Sequence, residues 1–157
     1  MINYEDLLDE AHKNDIYVIE RCEFESNSKG LINGDVIGLS NRLSTTKERV
    51  CVLAEELAHY YMNVGNIINL NDTSNAQQEY KARLLSYNRL IGLDNIIAAY
   101  KAGCTNLSET AEFLGITEEF LAEAIEVYTN RYSPYIKYND YIIYFSPFLD
   151  VKKGKGK

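Results

Sequence analysis

Residues 52–61 read "VLAEELAHYY" and set Glu55, Glu56 and His59 in a Glu-Glu-x-x-His array. On a helix, residues four apart project side by side, so the Glu55 carboxylate and the His59 imidazole can grip one ion. Glu56 is turned about 100° from Glu55 and can reach a water on that ion without being a ligand. The chemistry such a set supports is metal-assisted hydrolysis, with Glu56 as general base.

A catalytic metal site also needs a third protein ligand and an open position. Downstream, "AQQEYKARLLSYNRLIG" reads as a helix whose only acidic residue is Glu79. Glu79 lies 20 residues after His59, which leaves room for a loop and a returning helix. Ala82 and Ser86 are small and follow beside it, so two helices can approach closely there. Glu55, His59 and Glu79 are therefore the candidate metal ligands. The competing reading is a polar helix face. Short motifs arise by chance and surface helices are rich in Glu, so His59 can be an ordinary helix histidine and Glu79 a solvated charge.

Several elements have to position this set. Thr45 and Glu48 have capping-box spacing and predict the start of the helix "STTKERVCVLAEELAHYYMNVG". Val50, Leu53, Ala54, Leu57 and Tyr61 form its buried stripe, and the 55/59 face flanks that stripe. Gly65 can end the helix, and "NLNDTSN" reads as a polar loop. The following helix is expected to bury Ala76, Tyr80, Leu84, Tyr87 and Ile91. Upstream come an amphipathic helix over 3–13, with Tyr4, Leu7, Leu8 and Ala11 on one face, and a strand at "DIYVIER". "KGLINGDVIGLS" predicts a hairpin turning at Asn33-Gly34, because both central turn positions want positive φ. Its strand "DVIGLS" is either a receiver for an extended substrate by strand addition or an ordinary sheet edge.

Beyond these lie a helix at "LDNIIAAYKAG" and two short helices around Gly115 that resemble a helix-turn-helix. The second carries Glu118, Glu119, Glu123 and Glu126, with no basic residue before Arg131, so phosphate would be repelled and duplex reading is not expected. That face either packs simply or, through Glu119 and Glu123, meets a protein partner. "YIKYNDYIIYF" predicts two strands around Asn139-Asp140, and the tail 151–157 reads as disordered. Of the 13 tyrosines, Tyr60 and Tyr61 are nearest the array. Tyr60 is a candidate donor to an oxyanion, or a packing residue, and Tyr61 belongs to the buried stripe. His12, the other histidine, reads as a surface residue.

The totals bound these readings. A chain of 157 residues, 46% hydrophobic and 25% charged, can bury a core as one domain or one domain with a small appendage. The net charge of −7 argues against non-specific binding to nucleic acid or an anionic membrane and permits a basic partner. No stretch approaches the roughly 18 apolar residues of a membrane span, and the N-terminal residues lack the apolar run of a signal peptide. Cys22, Cys51 and Cys104 are odd in number and far apart, which suits small hydrophobes in a reducing cytoplasm.

"VLAEELAHYY" followed by "QEYKARLLSYNRLI" resembles the ImmA/IrrE family of zinc metallopeptidases, in the active helix, the downstream Glu-x-x-Ala helix and the order of elements. The resemblance implies an α+β fold with a zincin-like core over 1–92, a helical segment over 93–133 and a β-hairpin over 134–150. It implies Glu55, His59 and Glu79 as ligands of zinc, Glu56 as base, and a protein substrate, a DNA-binding repressor of a phage or mobile element. The alternative is a non-catalytic module of the same fold that binds a repressor or host regulator. Where the family usually has His-Glu-x-x-His, this chain has Glu55. Two carboxylates and a neutral imidazole make the loaded site formally neutral, where two imidazoles and one carboxylate leave +1. A bound water should then have a pKa above the roughly 7 of a good zinc hydroxide, and the oxygen-rich shell admits manganese or iron as well as zinc.

Overall fold

The computed structural model describes residues 1–65 and 75–154. The expected polar loop falls almost wholly on 66–74, and that segment and the last residues, 155–157, lie outside the described chain. The fold is α+β, and the chain divides into two compact units, Met1–Leu90 and Ile91–Lys157.

The first unit opens with α1, Tyr4–Lys13, started by a reciprocal capping box in which Asn3 accepts from the Asp6 N–H and Asp6 accepts from the Asn3 N–H. Its buried face is Tyr4, Leu7 and Ala11. Three strands follow: β1 (Tyr17–Cys22), β2 (Gly30–Asn33) and β3 (Val36–Ser40). Their order is β1-β3-β2, with β3 parallel to β1 and antiparallel to β2. "DVIGLS" is therefore the centre of the sheet, hydrogen-bonded on both sides, and cannot receive a further strand. The edge strand of the hairpin is β2. The turn also sits one residue later than expected. Asn33 pairs with Val36, so the two loop residues are Gly34 and Asp35, and of these only Gly34 has positive φ, +63°. A glycine at the first central position satisfies the alternative hairpin turn, and Asn33 is left to the strand.

Helix α2, Thr46–Gly65, starts at the predicted capping box: the Glu48 N–H donates to Thr45 Oγ1 at 3.1 Å and the Thr45 N–H to Glu48 Oε1 at 3.2 Å. It packs on β2 and β3 with one side and on α1 and α3 with others, so Val50 to Ala54 and Glu56 to Ala58 are all buried. Tyr61 is not part of that core but is exposed. Helix α3, Asn75–Leu90, lies against α2. It buries Ala82, Ser86, Tyr87 and Leu90, while Ala76 and Tyr80 are exposed, contrary to the stripe expected from apolar spacing. The closely packed face is the one lined by small residues. Ser86 is tolerated there because its hydroxyl donates to the Arg83 carbonyl at 2.7 Å.

The second unit holds α4 (Gly92–Lys101), α5 (Leu107–Leu114) and α6 (Glu118–Tyr132), then β4 (Tyr135–Tyr138), β5 (Tyr141–Tyr144) and β6 (Asp150–Lys153). Asn106 and Thr117 cap α5 and α6, and Gly115 between them is left-handed at φ +72°. Asn139, at φ +54°, makes the β4–β5 turn where expected. The strand β6 corrects the reading of a disordered tail from 151. It pairs antiparallel with β5, setting Val151 opposite Ile143 in the core while Lys152 and Lys153 are exposed. One apolar residue in a lysine-rich run is too weak a pattern to announce a strand, and the ladder with β5 makes up the rest. Among the described residues, no helix is long and apolar enough to cross a membrane.

Candidate active site

Helix α2 turns its motif residues to two sides. Glu56 faces the sheet. It is buried, and beside it the backbone of β2 passes so close that a Cβ on Gly30 would lie 2.6 Å from Val52 Cγ1, 3.1 Å from Glu56 Cγ and 3.2 Å from Glu56 Oε2. Any larger residue at 30 would push into a stiff β-branched neighbour and the Glu56 carboxyl, so the glycine is what lets strand and carboxyl meet. Burial, and then the charges of Glu55 and Glu79, push the Glu56 carboxyl up from its ordinary 4.5 to about 7.

Glu55 and His59 face α3. His59 Nε2 lies 3.1 Å from Glu79 Oε2, so the histidine and the downstream acid expected from spacing do meet. One turn back along α2, Glu55 is held differently: Arg83 Nε donates to Glu55 Oε1 at 3.1 Å. The two contacts form a ladder. Moving from 59 to 55 on α2 moves from 79 to 83 on α3, as antiparallel helices require. Partial burial works to lower the Arg83 pKa, but the neighbouring negative groups, chiefly Glu55, outweigh it and the pKa rises.

The donor types at this ladder, an imidazole and carboxylates, fit a divalent cation. Their arrangement fits it in part. His59 and Glu79 share one place, whereas Glu55 is engaged by a guanidinium, and among the described residues no three His, Cys, Asp or Glu side chains stand grouped to hold an ion. Tyr60 is half-buried, its ring edge-on to Tyr61 with centroids 5.6 Å apart. The Tyr61 hydroxyl donates to Glu10 Oε2 at 2.5 Å, and Arg89 Nη1 donates to the same oxygen at 2.7 Å. Glu10 thus fastens α1 to both α2 and α3. His12 is exposed, Cys22, Cys51 and Cys104 form no disulfide, and Glu119 and Glu123 lie on the exposed side of α6 in the second unit.

Three residues that matter here carry no chemistry in a linear motif: Gly30, Glu10 and Arg83. Arg83 did have a signal. It stands four after Glu79, as His59 stands four after Glu55, and two such steps on antiparallel helices face each other crosswise.

A buried carboxyl under a strand edge, next to a histidine–carboxylate seat on two packed helices, is the framework of a metallopeptidase. The family model for the IrrE N-terminal-like domain, Peptidase_M78, matches residues 1–126, and the chain belongs to this metallopeptidase family. The match takes in the whole first unit and continues into α6. No curated protein and no solved structure matches the chain.

Proposed function

We propose that the protein is a metal-dependent endopeptidase that cleaves a DNA-binding repressor of a phage or mobile element in the cytoplasm. Zinc is the first choice of metal, with manganese or iron as alternatives. The observation that carries this reading is the placing of Glu56: buried, beside the His59–Glu79 seat and beneath the backbone of β2. His59 and Glu79 would hold the metal, with Glu55 as third ligand once Arg83 has let go. When bound, the metal supplies Lewis acidity to the scissile carbonyl and a water of lowered pKa. Glu56, buried beside the seat, would be the group that takes up a proton during attack and hands it to the leaving amine.

The edge of β2 gives the substrate a place. Ser40 N–H donates to the Lys29 carbonyl at 2.8 Å, and alternation along an antiparallel pair then turns the Gly30 and Ile32 backbone groups to the outer edge. An extended peptide paired there lies over Glu56. The repressor as target rests on the family resemblance. In a cleavage assay on candidate repressors read by mass spectrometry, Glu56→Gln is expected to lower the rate by about 10²–10⁴-fold while metal binding stays intact and the fold is no less stable. Unchanged cleavage would remove Glu56 from its role.

A second reading, a non-catalytic module that binds a repressor or host regulator, is favoured by the Arg83 contact on Glu55 and by the exposed Glu118, Glu119, Glu123 and Glu126 on α6. On that reading Glu56→Gln changes nothing, and the double reversal Glu119→Lys, Glu123→Lys abolishes partner binding.

A further inference from the structure

We propose that Arg83 is a resident counter-cation of Glu55 that competes with the metal, so that loading the site requires the guanidinium to swing out to solvent. This deepens the metallopeptidase reading and rests on it. Position 83 faces position 55 directly because 79 faces 59, and four-residue steps on the two antiparallel helices keep register. Whatever stands at 83 therefore decides whether the first motif residue is available. A histidine at 55 would have nothing to gain from an arginine there. A glutamate does, and Arg83 takes it with a direct contact of 3.1 Å.

The charges around the ladder make the contact useful to the unloaded protein. Glu55, Glu56 and Glu79 crowd one region, and a cation among them relieves their mutual repulsion. The same cation opposes a divalent ion twice, by holding a ligand and by adding like charge. Arg83 can leave. Its side chain is 56% exposed, and a pair this open to water is held weakly. Glu55, at 29% exposure, stays behind as the better-sheltered partner, ready to turn toward His59.

The test is metal binding to the chelator-stripped full chain, titrated calorimetrically with Zn²⁺ and with Mn²⁺. Arg83→Met keeps an apolar stem and removes the charge, and Arg83→Gln is a second variant in case the first is poorly folded. Either is expected to bind about tenfold tighter than the natural chain, with one ion per chain. The gain must vanish in a Glu55→Ala background, where Arg83 has nothing to hold. His59→Ala should abolish binding in every background. If binding depends on His59 but is no tighter without Arg83, the metal site stands and the competition is overturned. A gain that survives Glu55→Ala also overturns it, since Arg83 would then act by bulk repulsion alone. Failure of both the natural chain and the Arg83 variants to bind metal sinks the metal reading together with this inference.

Discussion

Glu56 carries its proton into the neutral range because water has been taken from it and two like charges stand near. That has a cost with a sign. Below the ordinary carboxyl value of 4.5, Glu56 is protonated whether the chain is folded or not, and its burial is free of the charge penalty. As pH rises toward about 7, the unfolded chain releases the proton while the folded chain keeps it, so stability falls. The loss for the metal-free protein should reach on the order of 3 kcal/mol by pH 8. Glu56→Gln has no proton to release. Urea midpoints of the two proteins should differ little at pH 4 and separate at pH 8, with the variant the more stable. Parallel curves would mean that Glu56 is ionised and solvated in the fold.

At the scale of elements, the sequence announced those with local signals. The Thr45/Glu48 capping box, the glycine stop at 115 and the Asn139 turn sit where spacing put them, because caps and positive-φ turns are decided within a few residues. What it could not announce depends on neighbours far along the chain. β3 entered the centre of the sheet because β1 pairs parallel to it, β6 exists through β5, and Ala76 and Tyr80 of α3 stay exposed because α2 packs on the face of Ala82 and Ser86, whose small size did mark a close approach. The candidate site divides the same way. Glu55, Glu56, His59 and Glu79 were legible as residues, whereas the hold of Arg83 on Glu55 and the passage of Gly30 over Glu56 belong to the packing. The clamp at Glu10 gives the element-scale prediction. Glu10→Ala strips half-buried Arg89 and the exposed Tyr61 of their shared acceptor and should cost about 2 kcal/mol in urea denaturation. A loss under half of that would show that α1 is held by its apolar face alone.

For the whole molecule the governing quantity is a net charge of −7 with four carboxylates exposed along α6. A basic repressor approaching such a surface is steered, and its association rate should fall about tenfold or more between 20 and 300 mM salt as the field is screened. Stopped-flow mixing with a candidate repressor would read this, and reversing Glu119 and Glu123 to lysine should flatten the dependence. A rate indifferent to salt would leave the acidic face without a part in recognition. Duplex DNA, for the same reason, should not bind.

The ladder between α2 and α3 also has a hereditary side. Because positions 55 and 83 look straight at each other, they are not free to change alone. A lineage that acquires histidine at 55 would set an arginine against a loaded metal, and one that loses the arginine would leave three carboxylates crowded together in the unloaded fold. The two positions should therefore drift as a couple: acid at 55 with a cation at 83, histidine at 55 with a small or neutral residue at 83. A tally of those two columns across IrrE-like sequences would show whether ancestry has kept them coupled.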